Sequence, residues 1–114
     1  MIAVIFEVMP HQAHKSAYLD IAVQLKSELE QIDGFISVER FQSLTNQNKV
    51  LSLSFFESEE AVKAWRNLPS HRTAQKAGRG KLFANYRLRI ASVVRDYGKD
   101  EREGTPKDSV AVHG

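Results

Sequence analysis

Along this chain the hydrophobic period switches from two to 3.6 and back twice, and the order of the switches leaves few folds open. Ile2, Val4, Phe6 and Val8 alternate with Ala3, Ile5 and Glu7, the period of a β-strand. Pro10 brings no N–H to a ladder and ends it. Between Lys15 and Ile32 the apolar positions Tyr18, Ile21, Ala22, Leu25, Leu29 and Ile32 recur at helical spacing, opposite Lys15, Asp20, Lys26, Glu30 and Gln31. This segment is predicted to lay one face on a sheet and the other in water. Asp33-Gly34 stops it, because glycine accepts the left-handed conformation past a helix end.

Strand spacing returns in FISVERFQSL, Phe35 to Leu44, and in KVLSLSFFE, Lys49 to Glu57; the polar run Thr45 to Asn48 joins them as a hairpin. Ser58 suits an N-cap, with Glu59 and Glu60 in the first turn where carboxylates meet the positive helix end. The helix carries Ala61, Val62 and Trp65 to about Asn67. Pro69 and Ser70 restart the chain into a second helical piece, His71 to Ala77, closed by Gly78 and Gly80. Leu82 to Tyr97 reads as a last strand. This order is the split βαβ arrangement: an α+β, ferredoxin-like βαββαβ fold with a four-stranded antiparallel sheet. Residues 1–98 form the expected domain; residues 99–114 are polar, rich in breakers and expected to be a mobile tail.

The chain's 114 residues, 42% of them apolar, suit one core. Lys+Arg 16 against Asp+Glu 14 gives no reason to expect a nucleic-acid surface. With no cysteine there is no disulfide, thiolate metal site or cysteine nucleophile. MIAVIFEVMP has no basic start and too short an apolar run for a signal peptide or membrane span, so a cytoplasmic protein with no membrane partner is expected.

Two helices on one sheet face leave the other bare. Ile2, Val4, Phe6, Leu51, Leu53, Phe55, Leu88 and Ile90 are assigned to the helix side. The opposite parity holds Ala3, Ile5, Glu7, Val50, Ser52, Ser54, Phe56, Arg87, Arg89, Ala91 and Val93, a mixed set. A second copy packed on this face, as a homodimer, would cover its apolar members.

The stretches GFISVERFQS, LSLSFFESEEAVKAWRN and HRTAQKAGRGKLFANYRLRIASVVRDYG resemble the antibiotic biosynthesis monooxygenase family of dimeric α+β barrel proteins. The resemblance implies a pocket between sheet and helices, bordered by a tryptophan on the second helix; Trp65 in AVKAWRN stands there. It also implies a range of reactions, from cofactor-independent quinol oxygenation to haem degradation. The haem-degrading branch carries an axial histidine about ten residues beyond that tryptophan, where this chain has Gln75, a poor haem ligand. That branch's asparagine near the end of the first strand has no match in VIFEVMP, where this chain has Glu7. Haem is therefore disfavoured, and no cofactor or metal is expected.

His71, six residues after Trp65, is the candidate catalytic base, because imidazole titrates near neutrality; it equally suits the first turn of a short helix with no catalytic part. Trp65, Phe6, Phe55, Phe83 and Tyr86 could wall a slot for a flat ligand, or simply be core. Arg72, Arg79, Gln75 and Asn85 are candidate polar contacts at its mouth. Gly78-Arg79-Gly80 lacks the lysine and Ser/Thr spacing of a phosphate loop, and His11 and His14 lack the partners of a metal site. The expected function is oxygenation of a small aromatic quinol or enol. The alternatives are a non-catalytic dimer that binds a small apolar ligand and, less favoured, a haem protein.

Overall fold

The computed structural model of the chain describes residues 1–77 and 83–113. Strand β1 (Ile2–Pro10) leads through a 3₁₀ turn, Gln12–His14, into helix α1 (Lys15–Leu29). Strands β2 (Phe35–Gln42) and β3 (Val50–Phe56) form the hairpin, followed by helices α2 (Glu59–Arg66) and α3 (Pro69–Ala77), strand β4 (Phe83–Ser92) and helix α4 (Lys107–His113). The sheet order is β2-β3-β1-β4, antiparallel throughout. This is the α+β ferredoxin-like arrangement expected from the sequence.

The local chemistry explains the joints. α1 stops at Leu29, and the turn after it closes on Gly34, whose φ is +90°. The Gly34 carbonyl accepts from Glu57 N–H at 2.7 Å, and a Cβ built on Gly34 would stand 3.0 Å from the Ala61 Cβ. Both backbone angle and close approach therefore require glycine. Ser58 caps α2 by accepting from Ala61 N–H at 3.2 Å, with Glu59 and Glu60 in the first turn. Between α2 and α3, Asn67 Nδ2 donates to the Lys63 carbonyl at 2.9 Å while Arg72 Nη2 donates to Asn67 Oδ1 at 2.8 Å. Pro69 occupies the first position of α3, where its missing N–H has no helical partner to lose.

The pairing corrects the face assignment of β3. Across the sheet Phe6 stands opposite both Ser52 and Leu88, and Ser52 opposite Arg40; the next row is Val38, Ser54, Val4 and Ile90. Val50, Ser52, Ser54 and Phe56 therefore share the helix-covered face with Ile2, Val4, Phe6 and Val8. Leu51, Leu53 and Phe55 lie on the other face, opposite to their expected place. There Glu39, Leu53, Ile5 and Arg89 form one row, Phe41, Leu51, Glu7 and Arg87 the next. Glu7 pairs with Arg89 at 3.1 Å and Lys49 at 3.5 Å. The open face is thus more apolar than the sequence pattern implied. On edge strand β4, Leu88 and Ile90 have the expected helix-side parity but remain exposed.

The strand β4 ends at Ser92, short of Tyr97, and helix α4 lies within the stretch for which no folded element was expected.

Candidate functional site

The core is built in two pieces. Ile2, Val4, Leu29, Phe56, Ala61 and Val62 form one cluster, with Trp65 and Val38 packed against it. Val8, Tyr18 and Val50 form the other, with Phe6 and Phe83 alongside. Members of both line a cavity of about 220 Å³ between the sheet and α1. That is the scale of a site for a small organic ligand. Its polar wall groups offer partners to water or to such a ligand.

The register explains the space. Ser52 and Ser54 sit on the floor where β3 could have carried leucines, and Ile21, Ala22 and Leu25 of α1 form the roof. One end is aromatic: Phe83 lies 5.7 Å from Phe6, 5.5 Å from Tyr18 and 6.0 Å from Tyr86 between ring centroids. The other end is Trp65 and His71, whose rings lie 4.2 Å apart at 45°. The elbow between α2 and α3 fixes this pair, since it folds the first turn of α3 back over the last turn of α2.

His71 Nδ1 is buried without a hydrogen-bond partner. Burial, with a smaller contribution from the Arg72 guanidinium, lowers the imidazole from its ordinary 6.5 to about 4. At neutral pH it is therefore uncharged. Arg40 of β2 is the one charged side chain on the cavity wall among the described residues. Its Nε is buried without a partner, and the guanidinium lies beside the Tyr18 phenol. Burial raises the Tyr18 phenol above its ordinary value, opposed by the charge of Arg40 and their hydrogen bond.

Five expected site residues meet on this cavity: Phe6, Trp65, His71, Phe83 and Tyr86. Phe55 does not, because the β3 register turns it to the open face beside Ala3. Asn85 is also off the wall; its Oδ1 accepts from Tyr86 N–H at 2.9 Å. Arg72 is exposed and engaged with Asn67 at the elbow. Arg79 and the Gln75 side chain lie outside the described residues. Sequence reasoning missed Arg40 and placed Tyr18 only as a helix-core position. The signal for Arg40 was its parity: in VERFQ it shares a face with Val38, not with Phe41.

Among the described residues no group of three or more His, Asp or Glu could hold a metal ion, and no helix is long and apolar enough to cross a membrane. Glu7, at the position that distinguished this chain from the haem-degrading branch, lies on the opposite face of the sheet.

An α+β fold with a cavity of this size under its helices suits a small-molecule ligand, and comparison with known proteins narrows the class. The antibiotic biosynthesis monooxygenase family profile matches residues 1–77, and the chain belongs to that family. A jasmonate monooxygenase from Pyricularia oryzae is 40% identical over 101 residues, 89% of this chain but 47% of that protein. The chain thus spans about half the length of this relative. An uncharacterized protein from Bacillus subtilis, YqjZ, is 27% identical over 93 residues, 82% of this chain and 79% of its own. Among solved structures, Rv0793 from Mycobacterium tuberculosis superposes with a TM-score of 0.76 at 16% identity, over 85% of this chain and 98% of that one. A protein from Deinococcus radiodurans gives 0.77 at 13% identity, over 86% and 97%. At such identities the structural matches establish the fold alone.

Proposed function

We propose that this chain is a monooxygenase with no resident cofactor, acting on a small apolar substrate that carries an acidic quinol or enol hydrogen. The observation that carries this reading is the neutral His71 imidazole held against Trp65 on the wall of a largely apolar cavity. The substrate ring system lies between the two aromatic ends. The His71 imidazole accepts the substrate proton, and the resulting anion passes an electron to O₂. Recombination on carbon and loss of water convert a CH₂ beside a carbonyl into C=O: one O₂ is consumed, one oxygen atom enters the product, and the other leaves as water. The substrate supplies all four electrons, so no reductant is needed. Because burial makes His71 a weak base, the substrate proton must be acidic, and the anion needs help from neighbouring charge.

Membership of the monooxygenase family and the 40% identity to a jasmonate monooxygenase support an oxygenase reading over simple ligand storage. A second copy covering the open face through Ile5, Leu51, Leu53 and Phe55 completes the proposed assembly. The test is oxygen uptake with a panel of aromatic quinols and cyclic enols, comparing the parent protein with His71→Ala. Uptake that falls at least a hundredfold in the variant, with circular dichroism unchanged, supports the mechanism. Unchanged uptake removes His71 from it, and tight binding without uptake makes the protein a ligand carrier.

A further inference from the structure

We infer that the ligand of this cavity carries a carboxylate and that Arg40 is the residue that selects it. The inference deepens the proposed function by naming a feature of its substrate, and it stands on observations that function does not use.

Besides His71 and Tyr86, the polar groups of the cavity wall form a set contributed by β2, β3 and α1: Arg40, Ser52, Ser54 and Tyr18. Arg40 and Ser52 are direct cross-strand partners, and both line the cavity. No carboxylate among the described residues pairs with Arg40, although Glu7 on the far face has two cations to itself. With His71 neutral, the wall carries a single positive charge and, among the described residues, no negative one to balance it.

A guanidinium cannot shed its charge at any pH a protein survives. Lining the cavity with no carboxylate beside it among the described residues, it leaves a charge uncompensated. A guanidinium carries its N–H groups in a planar fork whose spacing matches the two oxygens of a carboxylate. A carboxylate seated on it neutralises the charge, while Tyr18 and Ser52 supply further donors. The ligand's apolar body then extends between the ring clusters toward Trp65 and His71. A neutral ligand would leave the charge unanswered, which makes Arg40 a filter as well as an anchor.

The experiment is calorimetric titration of the full chain at pH 7.5 with octanoate and with 1-octanol, equal in chain length and different in charge. It is repeated with Arg40→Met and Arg40→Lys. The parent protein should bind octanoate at least tenfold more tightly than octanol. Arg40→Met should remove that preference by weakening octanoate and leaving octanol unchanged, and Arg40→Lys should restore only part of it, because an ammonium keeps the charge without the fork. Octanol binding as well as octanoate in the parent protein overturns the inference, whether or not the variants fold. So does absence of saturable octanoate binding, or a preference that survives in Arg40→Met. Neither titration involves oxygen. A carboxylate preference with no oxygen uptake on any substrate would therefore sink the monooxygenase reading and leave Arg40 in place. Rapid uptake on a neutral enol, undiminished in Arg40→Met, would do the reverse.

Discussion

The His71 ring rests on the Trp65 ring at 4.2 Å, across an elbow in which Asn67 links the Lys63 carbonyl to the Arg72 guanidinium. Three short contacts thus place one imidazole at the end of a cavity. Asn67→Ala should disturb that placement without touching the cavity wall. The expected result is a loss of about 1 kcal/mol in stability, from two exposed hydrogen bonds, measured by urea unfolding. Oxygen uptake should fall by more than that loss of folded protein explains.

Burial of His71 links stability to pH. Its folded value of about 4 lies below the 6.5 of an unfolded chain, so the unfolded state binds the extra proton between those values. The contribution is fully present above pH 6.5 and is lost as pH falls toward 4. Discounted for partial exposure, it amounts to about 1–2 kcal/mol. His71→Gln should flatten the stability profile between pH 7 and pH 4.5. The residual slope at the acid end should come partly from Glu7, whose carboxyl Arg89 and Lys49 hold below the usual range. Chemical denaturation of both proteins across that range measures the difference.

Gly34 tests the packing of α2 against the turn after α1. Gly34→Ala places a side chain at φ +90° and 3.0 Å from the Ala61 Cβ. It should cost about 2 kcal/mol or more, read as a lowered urea midpoint. A neutral result would mean that the turn can change its backbone angle.

The cavity floor should trade stability against binding. Ser52→Leu fills space beside Arg40 and should raise stability by about 1 kcal/mol while abolishing ligand binding. Thermal unfolding and octanoate titration of the same variant would show both effects.

On the open face, Leu53 stands between Ile5 and Glu39. If a second copy covers this face, Leu53→Glu buries a carboxylate against an apolar partner and should give a monomer in sedimentation equilibrium. A parent protein that is itself monomeric would contradict the dimer.

The order of elements was legible because hydrophobic period reports it directly, and Ser58, Pro69 and Gly34 mark their boundaries by local chemistry. The facing of β3 was not. LSLSFF alternates leucine with serine, and the rule that apolar residues turn toward the helices selects the leucines. The chain instead points the serines at α1, where their small side chains leave the cavity open, and the leucines face the uncovered side of the sheet. The same inversion moved Phe55 off the site. Trp65 and His71 were found because both lie close together along the chain. Arg40 was missed because an arginine on a strand reads as solvent-facing until the register puts it over a cavity. Its alternation with Phe41 carried the information, but only the pairing partners say which parity faces inward.

Oxygenation without a cofactor is tested by one turnover under ¹⁸O₂. Protein treated with a chelator, with no flavin, haem or reductant added, is mixed with a quinol or enol substrate, and product and oxygen consumption are quantified. One O₂ should be consumed and one labelled oxygen gained per product molecule, with the rate at least a hundredfold lower in His71→Ala. Turnover that appears only when a metal, flavin or haem is restored, or product that carries no label, would contradict it.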